Sequence, residues 1–384
     1  MSHNNASTNT ITPTLDLRSL LGYALSALLS GALTLLLYVS VGQTPFVRAF
    51  GLALVVGAMT LTLRRMGAWL AVIGGLALAF SPAFWSQRGG PESGAPIMAL
   101  VLGATLICAL LVRRFGARAL LVVEIGLLVS ALIFWRDFTY YKSLRITTLC
   151  AALVLYMLID GLLRTNPRPD EAPRAPLDEL HMMVLLLLLS VGVINDPLFV
   201  LFAPAIALGL MMSRTSLPLW YWALFVFVIG IGVYGFINDP VRARWWTTAQ
   251  TDNLGTSYIV MDAWRNSARW IMLIQLVVSQ FTPIGALLGV LGLARLSRWY
   301  PPLGLVTMVA YAAYVLFGLV YFGVDSAVLL LPLLMIQVLW MTYAVFTFGA
   351  WLQKAFKQPA LRWVAPAIFT LLPLAMLLRV AGIW

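Results

Sequence analysis

The chain has 384 residues, 61% of them hydrophobic and only 10% charged, and its mean hydropathy is +0.92. Ordinary soluble domains carry about 25% charged residues, so a water-soluble fold is excluded. The net charge of +11 is divided among short basic clusters at the ends of apolar runs, not gathered on one face or tail. That pattern marks membrane topology and argues for no nucleic-acid partner.

Residues 1–17 are rich in Ser, Thr and Asn and have no basic n-region, so they read as a short disordered cytoplasmic tail and not as a cleaved signal peptide. Apolar runs follow at 19–41, 46–63, 67–85, 95–112, 117–135 and 146–163. The second half adds 180–195, 197–213, 217–238, 270–294, 303–322, 326–350 and 363–382. As helices, runs of about 17–25 residues cross a hydrocarbon core of about 30 Å; transmembrane strands would be half as long and alternate in polarity. The expected fold class is all-α, a polytopic transmembrane helix bundle of about 11–13 helices. The division at Asn195-Asp196-Pro197 splits one long apolar stretch in two, because proline and the residue before it leave the helical region.

Alternate loops should carry the Lys and Arg excess. Arg64-Arg65, Arg113-Arg114 with Arg118, Arg164 with Arg168 and Arg174, Arg214, Arg295 with Arg298, and Lys354 with Lys357 and Arg362 fall on one side. With Arg18 they make up most of the 25 basic residues. That side reads as cytoplasmic, which puts the N-terminus inside a cell membrane and the C-terminus outside. Residues 165–179 (TNPRPDEAPRAPLDE) form a Pro-rich charged cytoplasmic linker between a six-helix half, 18–164, and a C-terminal half, 180–384; a hinge and an unconstrained loop fit it equally. Residues 239–269 carry Arg-Trp-Trp and further aromatics, which suits an exterior interfacial segment containing one short helix.

Cys108 and Cys150 both fall inside apolar spans and read as packing residues. With histidine only at His3 and His181, no His-rich or structural metal site is expected. The exterior collects Glu92, Asp137, Asp196, Asp239, Asp252, Asp262 and Asp325. Such carboxylates act as a general base toward a hydroxyl or bind a divalent cation that bridges phosphate; the competing role for each is a helix cap or a partner for Arg. Ile-Asn-Asp-Pro occurs at 194–197 and again at 237–240, either as turn chemistry or as a means of turning Asp196 and Asp239 toward one outer cavity. Glu124 sits mid-span, where a carboxyl group must be protonated, paired or facing water, and serves as an interhelical hydrogen-bonding group or as a functional intramembrane acid. A proton-coupled transporter usually shows more such acids and interrupted helices near the midplane, which weighs against transport. Gly285 and Gly289 have the small-xxx-small spacing of closely packed helices.

Phe80-Ser81-Pro82-Ala83-Phe84-Trp85-Ser86-Gln87, followed five residues later by Glu92, resembles a signature of bacterial membrane proteins related to protein O-mannosyltransferases, members of the GT-C superfamily of lipid-linked-sugar glycosyltransferases. Gln280-Phe281-Thr282-Pro283-Ile284-Gly285 is similar to that family's Gln-Phe-x-x-x-Gly helix. Phe317 through Tyr321, with Asp325 and Leu331-Pro332, is similar to its Tyr-x-x-x-Asp-x-x-x-x-x-Leu-Pro stretch, and Asp196 stands where the family often has the His of Asn-His. The resemblance spans residues 45–350 and implies a GT-C-like fold. It also implies transfer of a sugar from a polyprenyl-phosphate carrier to an acceptor at the outer membrane face. On that reading Glu92, Asp196 or Asp325 is the catalytic acid, Arg88, Arg242 or Arg244 holds the lipid phosphate, and a divalent cation is compatible with the site.

The first outer loop departs from the family. There the family keeps a long segment with an Asp-x-Gly-Glu type motif and a His-Pro-x-Gly-Tyr-Pro run, whereas this chain has only Val41 to Pro45 (VGQTP), without an acid. Losing a positioned base costs about 10²- to 10⁴-fold in rate. Two readings therefore compete: transfer by a substitute acid, and a non-catalytic relative that binds lipid or serves a membrane protein partner as an accessory subunit. Transport is the third.

Overall fold

The computed structural model describes residues 17–89, 95–133, 144–165, 177–213, 215–238 and 258–383. Each predicted apolar run forms a helix or a pair of consecutive helices, since in hydrocarbon the helix satisfies its backbone within a single segment. The first half contains α1 (Leu17–Ser40), α2 (Phe46–Leu63), α3 (Ala68–Ala79), α4 (Pro82–Trp85), α5 (Ala95–Phe115), α6 (Ala119–Ile133) and α7 (Leu144–Thr165). The second contains α8 (Glu179–Asn195), α9 (Ala203–Met212), α10 (Leu219–Asn238), α11 (Ser267–Trp299), α12 (Pro301–Val320), α13 (Ser326–Leu329), α14 (Leu331–Phe356), α15 (Val364–Phe369) and α16 (Leu371–Val380). Among the described residues seven helical segments are long and apolar enough to cross a membrane, or eight if the bent α3–α4 pair is one span, and shorter apolar helices such as α6 and α8 complete the bundle. The protein is an all-α polytopic membrane protein.

Helix α14 lies at the centre: 78% of its most apolar window is buried, against 28% for α11. It packs on α11, α3, α12 and α7. The α11–α14 contact requires glycine, because a Cβ at Gly289 would lie 1.9 Å from Gln337 Nε2 and one at Gly292 would lie 1.8 Å from the Trp340 carbonyl oxygen. The small-residue spacing read from the sequence thus brings two helices together, and Gly292 extends it. Around this centre α2 packs on α1 and α7, α8 on α7 and α6, and α9 on α12. Exposed apolar side chains, including Leu106, Val122, Ile133, Leu287 and Val290, form the lipid-facing rim.

Several runs are less regular than the hydropathy suggests. The run at 197–213 begins as a 3-10 turn, Pro197–Phe202, before α9. The run at 326–350 is divided at Leu330, and the last run is divided at Thr370, where Pro373 offers no N–H to the Phe369 carbonyl.

The described part of 239–269 contains a two-residue strand, β1 (Tyr258–Ile259), one 3-10 turn, Ala263–Arg265, and the start of α11. Residues 239–257 lie outside the described residues. Strand β1 pairs antiparallel with β2 (Tyr321–Phe322), and Tyr258 stacks on Phe322 at 4.9 Å. The buried Arg269 explains the extended conformation: it donates to the carbonyls of Gly318 (2.8 Å), Leu319 (3.0 Å) and Tyr321, which are left without helical partners at the end of α12.

Candidate functional site

The α3–α4 span is interrupted at Phe80-Ser81, and the axis turns by 64°. Pro82 causes the break, since it keeps Ser81 extended (φ −64°, ψ 136°) and contributes no N–H. The backbone groups released there are satisfied by side chains. Tyr38 Oη donates to the Ala79 carbonyl at 2.5 Å, and Ser81 Oγ donates to the Leu78 carbonyl at 2.8 Å. The N–H of Ala83, an unpaired donor of the first turn of α4, is accepted by Gln280 Oε1 at 2.7 Å.

Gln280 lies beside a second interruption. Helix α11 is kinked at Thr282 (φ 66°, ψ 165°), immediately before Pro283. Pro283 has no N–H for the Ser279 carbonyl, and Arg379 Nη1 from α16 donates to that oxygen instead, at 2.9 Å. Two broken spans therefore meet inside the bundle and share one polar junction. Ser81 at the first break is buried, whereas Ser279 and Pro283 at the second lie on the exposed side of α11. The sequence reading missed the pairing of the breaks, although the Ser-Pro and Thr-Pro dipeptides signalled each one locally.

Beyond the break the chain makes a 3-10 turn, Ser86–Arg88. The Arg88 guanidinium lies 5.0 Å from the centre of the Trp85 ring and donates a long hydrogen bond, 3.4 Å, to the Gly42 carbonyl. The buried Arg48 donates to the Arg88 carbonyl at 2.9 Å, and Tyr38 packs edge-on against Trp85 at 4.5 Å. Trp85 Nε1 is buried without an acceptor among the described residues. Gly42 belongs to VGQTP, which is closed by hydrogen bonds from Gly42 N to the Leu37 carbonyl and from Thr44 N to the Tyr38 carbonyl, both 3.0 Å. Among the sequence-predicted phosphate ligands Arg88 is thus half-buried on an aromatic face, while Arg242 and Arg244 lie outside the described residues.

The predicted acids divide differently. Asp196 is buried and caps the 3-10 turn that follows it, accepting from Leu198 N at 3.1 Å, which is the turn reading of Asn-Asp-Pro. Asn195 beside it donates to Thr147 Oγ1 at 2.7 Å. In the second copy Asn238 donates to the Tyr234 carbonyl at 2.9 Å, and Asp239 lies outside the described residues, as do Glu92, Asp137 and Asp252. Asp325 is exposed and accepts from Tyr321 Oη at 2.5 Å. The turn that Asp196 caps packs against α12 at Tyr314, with Phe202 and Tyr314 rings 5.5 Å apart. Tyr321, the partner of Asp325, lies seven residues further along, two helical turns or about 10 Å.

Glu124 of α6 is 1% exposed and accepts a hydrogen bond from Ser190 Oγ of α8, forming the interhelical bond expected of it. Its Oε2 has no partner among the described residues. Among the described residues no three His, Cys, Asp or Glu side chains gather as a metal-binding group. Comparison with protein-family models and with curated proteins finds no match to this chain.

Proposed function

We propose that this chain is a GT-C-like membrane protein that binds a polyprenyl-phosphate lipid at the outer end of the bundle, beside Arg88, without itself transferring the sugar. The observation that carries this reading is that the described acids of the predicted catalytic set are already engaged in structural hydrogen bonds. Arg88 lies half-buried over Trp85, whereas Asp196 and Asp325 are held in structural hydrogen bonds and VGQTP is a closed turn with no acid. A guanidinium on an aromatic face, with Asp196 and Asp325 held in other hydrogen bonds, supports binding of phosphate more than activation of a hydroxyl.

Transfer is the second reading, because Glu92 follows Arg88 by only four residues. The test is the purified chain in nanodiscs with a polyprenyl-phosphate sugar, with bound lipid followed by native mass spectrometry and donor consumption by chromatography. The expected result is binding without consumption, with Arg88→Gln weakening binding about ten-fold. Consumption abolished by Glu92→Gln would establish transfer instead. A wild-type chain that takes up no lipid would remove the binding reading.

A further inference from the structure

Arg379 caps the kink of α11 from an exposed position. Its Nη1 donates to the Ser279 carbonyl at 2.9 Å, a neutral acceptor. Its remaining N–H groups have no acceptor among the described residues. Helix α16 packs on α3, α4, α11 and α15, none of which contains an Asp or Glu, so no carboxylate from those helices neutralises the guanidinium. On the same face of α11, one turn before Ser279, Gln275 is exposed, and its amide has no partner among the described residues either. The neighbouring turns of α11 and α16 present Ile271, Ile284, Leu374 and Leu378, all 42–69% exposed.

Position along the helix makes these polar groups costly. Ser279 lies nine residues after Trp270 and sixteen before Arg295, about 14 Å and about 24 Å along α11. Trp270 and Arg295 are both exposed and are residue types that settle at membrane interfaces, so the Arg379–Ser279 bond falls on the stretch between them that faces hydrocarbon. A guanidinium there needs a counter-charge or contact with headgroups, and an amide without a partner is destabilising. One class of ligand answers the charge, the amide and the apolar surround together. A phospholipid phosphate supplies the negative charge and accepts parallel bonds from the guanidinium fork, its ester oxygens accept from the Gln275 amide, and its acyl chains cover the exposed Ile and Leu side chains. A soluble anion matches the charge but not the apolar surface.

We infer that the lipid-facing surface between α11 and α16 binds the phosphate of an anionic phospholipid, held by Arg379 and Gln275. This site is independent of the one at Arg88 and takes a bilayer phospholipid. The test titrates phosphatidylglycerol into phosphatidylcholine nanodiscs holding the full-length chain and reads thermal stabilisation at each lipid fraction. The wild type is stabilised as phosphatidylglycerol rises. Gln275→Leu, which breaks no hydrogen bond among the described residues, keeps wild-type stability in pure phosphatidylcholine and weakens the response about three-fold. Arg379→Gln weakens it at least about ten-fold, and Arg379→Lys, which keeps the charge but loses the fork, falls between. Arg298→Gln removes an exposed charge of the same sign at the other end of α11 and leaves most of the response. A wild-type chain that does not respond to phosphatidylglycerol overturns the site, and so does equal stabilisation by inorganic phosphate in pure phosphatidylcholine. An Arg298→Gln loss as large as that of Arg379→Gln also overturns it, since that is the mark of general charge attraction. Should Arg379→Gln not fold, an undiminished response in both Gln275→Leu and Arg379→Lys is enough to overturn it.

Discussion

Gln280 Oε1 accepts a hydrogen bond from the Ala83 backbone N–H at 2.7 Å, across 197 residues of sequence. One side chain from the kinked α11 thereby caps the first turn of α4. Gln280→Leu keeps most of the volume and leaves that N–H without an acceptor in a buried setting, at an expected cost of about 1–3 kcal/mol. Gln280→Glu retains an acceptor oxygen and should lose less. Reversible unfolding in mixed micelles would compare the two, and equal losses would show that the hydrogen bond is not what matters at this position.

Gly292 faces the backbone of α14, where a Cβ would lie 1.8 Å from the Trp340 carbonyl oxygen. Backbone cannot swing aside as a flexible side chain does, so Gly292→Val should force α11 and α14 apart. The loss expected is about 1–3 kcal/mol or more. Gly230, where an added Cβ meets nothing within 4 Å, provides the contrast, and Gly230→Ala should be nearly silent in the same assay.

The Glu124–Ser190 bond joins α6 to α8. Glu124→Gln preserves a carbonyl acceptor for the Ser190 hydroxyl and should retain the fold, whereas Glu124→Leu strands that hydroxyl and should cost about 1–2 kcal/mol. Proton flux in liposomes, measured on the same variants, bears on function. Flux present in the wild type and absent in Glu124→Gln would favour transport over lipid binding.

Asp178 precedes α8 and accepts from His181 N at 2.9 Å and from the His181 ring. Burial pushes its carboxyl up, but the side-chain and backbone hydrogen bonds from His181, with the charges of His181 and Arg164, bring it net below its ordinary value. A depressed carboxyl contributes stability that is complete above the ordinary aspartate value and is lost as pH falls through the lower folded value. The first turn of α8 should therefore open to hydrogen exchange only below the usual aspartate range. The carboxylate is 63% exposed, so added salt should shrink its electrostatic part. Asp178→Ala removes the cap at every pH, costing about 1 kcal/mol. Opening already complete near neutral pH in the wild type would contradict this account.

Some of the site was legible because it is local. Asn195-Asp196-Pro197 carries its turn in three consecutive residues, and Asp196 caps that turn. Phe80 through Gln87 announced a polar, proline-interrupted end to an apolar run, and the structure puts the break at Ser81 and Arg88 on the Trp85 ring. The absence of interrupted helices, which counted against transport, was a misreading. A Pro inside an apolar run does not say whether the helix kinks, ends or continues, because neighbouring side chains decide which backbone groups are satisfied.

By itself the sequence determined that this chain lives in a membrane as a series of helices: apolar length and basic loop ends act within one segment, and a helix satisfies its own backbone there. Only the tertiary structure decided where the exceptions to that rule are met. Tyr38 reaches Ala79 across 41 residues, Arg379 reaches Ser279 across 100, and Arg65 and Arg164 converge on Asp160, the first across 95. Apart from Asp160–Arg164, an i,i+4 pair within α7, none of these pairs has a sequence period, since each exists only where separate helices cross. Polar groups in a low-dielectric interior must find partners wherever the packing brings them.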